Sequence, residues 1–126
     1  MKTDYEKPIN IELPEGATGV SLVFNITDLY AYDKNKSICS YKVSHSVFFK
    51  PTKETEWQFL REIEYGGKLQ DGNFLSTRKV RQLRNLKSRG TLKIIRNTPN
   101  NTSDYIANIY LLKLVYNVNS TTSIEL

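Results

Sequence analysis

The sequence predicts an α+β domain: an antiparallel sheet made of two long β-hairpins, with one or two helices, over about 56–65 and 77–88, packed on one face. Three observations carry that expectation. Apolar and polar residues alternate at period two in long runs near both ends of the chain, clusters rich in Asn, Pro and Gly punctuate those runs, and two central segments open on helix-start signals and close on glycine.

The first run, Val20 to Tyr32, places Val20, Leu22, Phe24, Ile26, Tyr30 and Tyr32 on one face, interrupted by Asp28. The second places Cys39, Tyr41, Val43, His45, Val47 and Phe49 opposite Ser40, Lys42, Ser44 and Ser46, so one side is buried and the other wet. Between them Asp33-Lys-Asn-Lys-Ser37 predicts a tight reversal, with Asn35 supplying the left-handed conformation, which makes the two strands a hairpin. Ile9 to Leu13, flanked by Pro8 and Pro14, reads as an edge strand.

Thr55-Glu-Trp-Gln58 has the form of a capping box, and a helix over about 56–65 groups Trp57, Phe59, Leu60 and Ile63 in one arc before Gly66-Gly67. A strand is the rival reading, with Trp57, Phe59, Ile63 and Tyr65 alternating around Arg61. The helix is preferred because Glu and Arg favour it and the glycine pair sits where a C-cap belongs. Ser76 caps the second helix, which runs to Ser88 with Leu75, Val80, Leu83 and Leu86 as its apolar stripe and Gly90 as its stop. Residues 91–96 and 105–116 are β-rich and joined by the turn-forming segment 97–104, giving the second hairpin. The expectation is one domain over residues 1–126, with 117–126 as a flexible tail.

Composition narrows the function classes. One Cys and one His exclude an internal disulfide framework and a Cys/His zinc site, so no metal and no other cofactor is expected. The first residues lack the apolar run of a signal peptide and no stretch has the length of a membrane span, so a reducing cytoplasm is the expected setting and no membrane partner is expected. Five Asn-x-Ser/Thr sequons (Asn25, Asn35, Asn100, Asn101, Asn119) are more than the abundance of Asn, Ser and Thr generates, yet without a signal peptide they do not make a glycoprotein. Gly66-Gly-Lys68 lacks the spacing of a phosphate loop. His45 and Cys39 share the apolar face and read as packing, and Glu62, Glu64 and Asp71 read as surface acids, so no catalytic residue is assigned and no enzyme is expected. Asp28 marks a site, a bulge or a strand leaving the core. Among the aromatics, Phe24, Tyr41 and Phe49 belong to the core, and Tyr30, Tyr32 and Tyr105 are candidates for exposed contacts.

The net charge of +5 is unevenly spread. Residues 1–75 carry nine basic and eleven acidic side chains (−2), and residues 76–126 carry nine basic and two acidic (+7). Arg78, Lys79, Arg81, Arg84, Lys87 and Arg89 cluster in the second predicted helix, with Lys93 and Arg96 on the strand that follows. Like charges three apart disfavour a free helix, and a polyanion would turn that repulsion into attraction. The expected function is therefore nucleic-acid binding, DNA or RNA, with these eight residues as phosphate contacts. The competing expectation pairs the same cations with Glu54, Glu56, Glu62 and Glu64. A second class is an assembly subunit or inhibitor-like interaction module, of the kind phages and mobile elements carry, binding an acidic protein surface or a second copy through strand edges or the basic helix.

The string Ser76-Thr-Arg-Lys-Val-Arg-Gln-Leu-Arg, in the order helix, loop, basic helix, hairpin over about 55–117, resembles the later part of a winged helix-turn-helix domain. That resemblance implies a basic helix in the major groove and a hairpin wing. The ten residues between Gly66 and Leu75 depart from it, leaving little room for the family's middle helix.

Overall fold

The computed structural model describes residues 1–80, 86–99 and 101–126, and among them there is no helix. Nine strands follow in order: β1 Ile9–Leu13, β2 Thr18–Tyr32, β3 Ile38–Cys39, β4 Tyr41–Pro51, β5 Gln58–Gly67, β6 Phe74–Lys79, β7 Gly90–Arg96, β8 Tyr105–Val118 and β9 Ser120–Glu125. They form two antiparallel sheets. One has the order β1-β7-β4-β5, and in the other β2 carries β3 and β6 along one edge and β8 along the opposite edge, with β9 beyond β8. The class is therefore all-β rather than α+β.

Each sheet buries one face against the other. Val20, Leu22, Phe24, Ile26, Ala107, Ile109 and Leu111 come from one sheet and Ile11, Val43, Val47, Ile63, Leu92 and Ile94 from the other, all in one buried cluster. This is a β-sandwich, and it explains why the expected hairpins are not there. The reversal at 33–37 pairs only Ala31 and Tyr32 with Cys39 and Ile38, after which the chain crosses to the opposite sheet as β4. Likewise β7 and β8 lie in different sheets. Two amphipathic strands kept in one sheet with no helix to cover them would leave both apolar faces wet, whereas crossing turns the faces toward each other. In the reversal itself the positive φ falls on Lys36 (62°) rather than Asn35, and the Asp33 carboxylate accepts from the amides of Asn35 and Ser37, both at 2.9 Å.

The segment expected as the first helix is β5, with Ile63 and Tyr65 buried and Glu62 and Glu64 exposed. Period two won over the helix propensity of Glu and Arg because pairing with β4 and the opposite sheet bury that alternation. Gly66 and Gly67 end this strand opposite Lys42 and Tyr41 instead of capping a helix. In the second expected helix, residues 77–79 belong to β6, paired with β2, while Arg81, Gln82, Leu83, Arg84 and Asn85 lie outside the described residues. Gly90 opens β7 between Leu13 and Pro51, where a Cβ would stand 2.4 Å from the Phe49 ring and 2.5 Å from the Lys50 carbonyl. Its glycine is required for close approach, not for a C-cap. Asp28 sits at a β-bulge and tethers the 69–72 loop, accepting from the Asp71 amide and from Asn108 Nδ2, both at 2.9 Å. The expected terminal tail is the site of β9, turned back on β8 through Asn119 at φ 66°.

Two buried polar residues fix how the sheets sit. Arg96 is only 1% exposed and reaches from β7 to the other sheet, donating to the carbonyls of Ala107 (2.8 Å), Thr98 (3.0 Å) and Pro99 (3.1 Å) and to Thr3 Oγ1 (3.4 Å). His45 is fully buried, with neither ring nitrogen hydrogen-bonded among the described residues, its ring 5.4 Å from that of Phe24. Burial, with the Arg96 charge adding to it, pushes its pKa down from 6.5 to about 3.

Replacing Arg96 with Met strips three carbonyls of their donor and is expected to cost about 3 kcal/mol or more in denaturant unfolding, against less than about 0.5 kcal/mol for Arg89→Ala on the surface. His45 gives a pH dependence. The unfolded chain takes up a proton near pH 6.5 that the folded one refuses down to about 3, so stability is full above 6.5 and is lost as pH falls through that window. The slope approaches about 1.4 kcal/mol per pH unit, and in His45→Phe it should vanish between pH 6.5 and the onset of carboxylate titration. Equal slopes in the two proteins would rule this out.

Candidate functional site: a cleft between the sheets

The cations expected to form one basic face are dispersed. Arg78 lies on the inward side of β6 and Lys79 is exposed at the end of that strand. Lys87 and Arg89 line a shallow depression with Lys53 and Glu15, in a segment fixed by backbone hydrogen bonds from Gly16 and Thr52 to Leu86 and Arg89. Lys93 stands on the outer face of β7, and Arg96 is buried between the sheets, where no phosphate reaches it. Arg81 and Arg84 lie outside the described residues. With residues 77–79 in a strand, neither a basic helix for phosphate contacts nor the winged helix-turn-helix likeness stands, and nucleic-acid binding loses its support. The expected pairing of this helix with Glu54, Glu56, Glu62 and Glu64 falls with it. On β5 itself, Glu64 meets Lys42 across the strand pair at 3.7 Å, with both side chains largely exposed.

What the fold does assemble is a cleft of about 270 Å³ where the sandwich opens between β5 of one sheet and β6 of the other. Its lining follows from register. Phe74, Ser76 and Arg78 stand opposite Ile26, Phe24 and Leu22 on β2 and so share the inward side, and Tyr65 comes from the facing sheet. The Asp28 tether brings the 69–72 loop across one end, where the backbones of Leu69 and Leu29 exchange hydrogen bonds of 2.8 Å. Ile26, Leu29, Leu69 and Phe74 give the cleft an apolar surface, and Gly66 and Gly67 leave its floor without side chains.

Two polar groups converge there. The Arg78 guanidinium lies 4.7 Å over the Tyr65 ring, and its Nε donates to Ser76 Oγ at 3.0 Å, which orients the planar fork. Tyr65 is 4% exposed, and its buried hydroxyl has no acceptor for its proton among the described residues. Burial raises the pKa of that hydroxyl well above the usual tyrosine value, opposed by the charge of Arg78, by a hydrogen bond from the same guanidinium and by the charge of Arg61. It therefore stays protonated and remains a hydrogen-bond donor without an acceptor, an arrangement that costs free energy until something accepts from it. Arg61 closes the far end of this side by donating from Nη1 to the Lys79 carbonyl across the gap.

A second surface, on the outer face of β4, β5 and β7, collects Phe48, Trp57 and Phe59 with Lys50 and Lys93. The Lys93 ammonium is 4.0 Å from the Trp57 ring centroid and 5.3 Å from that of Phe48, Lys50 is 5.1 Å from Trp57, and Phe48 meets Phe59 edge-on at 5.5 Å. Phe59 is 59% exposed. Sequence reasoning assigned Trp57 and Phe59 to a helix stripe and passed over Phe48, although Phe48 continues the wet phase of Ser40, Lys42, Ser44 and Ser46. The register shift at Val47/Phe48 is what turns the aromatic end of β5 outward. Of the tyrosines, Tyr105 stacks on Tyr41 at 4.3 Å and donates to the Pro99 carbonyl, while Tyr30 and Tyr32 meet edge-on at a strand end.

Among the described residues no group of three or more His, Cys, Asp or Glu is placed to hold a metal, and no helix is long and apolar enough to cross a membrane. No protein-family model matches the chain, and no curated protein matches it.

Proposed function

We propose that this protein is a non-catalytic, ligand-binding β-sandwich whose cleft between β5 and β6 takes a small amphipathic carboxylate. The observation that carries this reading is the convergence, at one wall of an apolar cleft, of the Arg78 guanidinium and the buried Tyr65 hydroxyl, whose proton has no acceptor among the described residues. A carboxylate pairs bidentately with a guanidinium and has a lone pair left for the phenol. The apolar part of the ligand then lies against Ile26, Leu29, Leu69 and Phe74. Binding is favoured over turnover because a guanidinium and a phenol held protonated offer neither a nucleophile nor a general base at neutral pH. The proposed setting is the cytoplasm, supported by the free thiol of Cys39.

A second reading is favoured by the outer face, where Lys50 and Lys93 over the half-buried rings of Trp57 and Phe48, beside the exposed Phe59, offer a cationic, aromatic surface to an acidic protein segment. A glutamate-rich peptide carrying one aromatic residue is then expected to bind in low salt and to lose its affinity when both lysines are replaced by Ala.

Calorimetric titration with octanoate tests the cleft. Octanoate is expected to bind and octanol to bind more weakly, and Arg78→Gln should weaken octanoate by roughly ten- to a hundredfold while leaving octanol nearly unchanged. Tyr65→Phe should weaken octanoate binding by removing the phenol proton that the carboxylate accepts, while octanol binding changes less. Equal affinities for the acid and the alcohol in the wild type would overturn the assignment.

A further inference from the structure

The outer edge of β6 offers more than the cleft uses. Leu75 and Phe74, the latter also at the cleft wall, are 59% and 56% exposed on a strand that pairs with β2 on one side and with no described strand on the other. Other sheet edges are blunted. β1 is five residues long and bounded by Pro8 and Pro14, β9 presents Ser and Thr, and β5 presents Glu62 and Glu64. An open edge bearing two large apolar side chains is the arrangement that proteins otherwise cover.

We infer that this edge pairs with β6 of a second copy of the chain, antiparallel about a two-fold axis at Ser76. The backbone sets the choice of register. The Val80 amide points to β2, donating to the Val20 carbonyl at 2.9 Å, whereas the Lys79 carbonyl points the other way, toward Arg61. By strand alternation, Leu75, Thr77 and Lys79 therefore turn their amides and carbonyls outward, and with the Lys79 carbonyl held by Arg61 the groups of Leu75 and Thr77 are the ones left for a partner. Centring the axis on Ser76 sets Leu75 against Thr77 of the partner subunit, so outward groups meet outward groups in both symmetry-related places. It also sets Phe74 against Arg78, Asn73 against Lys79 and Ser76 against itself.

No like charges face each other in this register, and each exposed apolar residue gains a cover: Leu75 meets a threonine methyl and Phe74 meets a guanidinium. On β5, by contrast, a two-fold pairing centred between residues 61 and 63 brings carboxylates of the two copies opposite each other, which disfavours it. Because a two-fold contact uses one patch twice, the self-complementarity of the seven residues 73–79 suffices, and the sheet continues across both copies as β9-β8-β2-β6-β6-β2-β8-β9. The pairing brings Phe74 of the partner subunit to the cleft mouth beside Arg78. It rests on the strand edge alone and does not require a ligand in the cleft.

Sedimentation of the ligand-free protein across a wide concentration range tests it, and the expected result is a species of twice the chain mass that dissociates on dilution. Thr77→Pro removes an outward amide that β2 does not use, so this variant should sediment as a folded monomer with an unchanged circular dichroism spectrum. In a Cys39→Ser background, Ser76→Cys should crosslink the two copies on mild oxidation, since facing residues of a non-hydrogen-bonded pair bring their Cβ atoms within disulfide reach, and Thr121→Cys on β9 should not. A wild-type protein that stays monomeric at every concentration, or a folded Thr77→Pro variant that stays dimeric, overturns the inference. If Thr77→Pro fails to fold, the crosslink decides: a covalent dimer of the Ser76→Cys variant supports the pairing and its absence refutes it.

Discussion

Phe24 stands at the middle of β2 with its ring 5.4 Å from both His45 and Tyr65, and through these contacts one sheet is located on the other. Neither sheet is stable alone, because each has one face of Val, Ile, Leu and Phe that only the other covers. The Phe24 contact fixes which residues meet. His45 is sealed away from water and held neutral, and Tyr65 is carried inward until its hydroxyl loses all solvent. Arg96 performs the same service at the other end of the sandwich, binding carbonyls of the second sheet and of the connection between the two. The cleft exists because the sheets, located in this way, do not close over the side where β5 and β6 end.

The edges of the second sheet show how unequal the two sides are. Along the outer edge of β8, β9 pairs with residues 113–118 and the chain start pairs with 109–111, the Met1 amine donating to the carbonyls of Leu111 and Leu126. That edge is closed by both ends of the chain. On the opposite side, where β6 runs, no described strand covers the edge, and that side carries the cleft with the Arg78 guanidinium and the Tyr65 phenol.

Much of this was legible in the sequence, and what was not has physical causes. The alternation of β2 and β4 and the edge role of β1 follow from local pattern, and the strand reading of 56–65 was available as the rival to a helix. Strand pairing was not legible: hairpin turns are read from adjacency, but β4 and β8 leave their neighbours because each apolar face needs an opposing sheet, a global condition that no local turn announces. The basic segment misled for a related reason. Charge is counted along the chain, whereas in space Arg78 enters the cleft, Lys93 lies on Trp57 and Arg96 is buried. Arg78 was picked out as a phosphate contact on grounds of charge, whereas in space it lies over the Tyr65 ring at the cleft wall. Tyr65 carried no such signal, since nothing in a sequence marks which buried hydroxyl will lack an acceptor.

The proposed ligand recognition belongs between the sheets and not on the outer face. Amide chemical shifts followed during titration with octanoate distinguish the two surfaces directly. Perturbations are expected to centre on Leu29, Gly66, Gly67 and Leu69, with Trp57 and Lys93 unmoved. Shifts centred on Phe48, Trp57 and Lys93, with the cleft residues silent, would contradict recognition in the cleft.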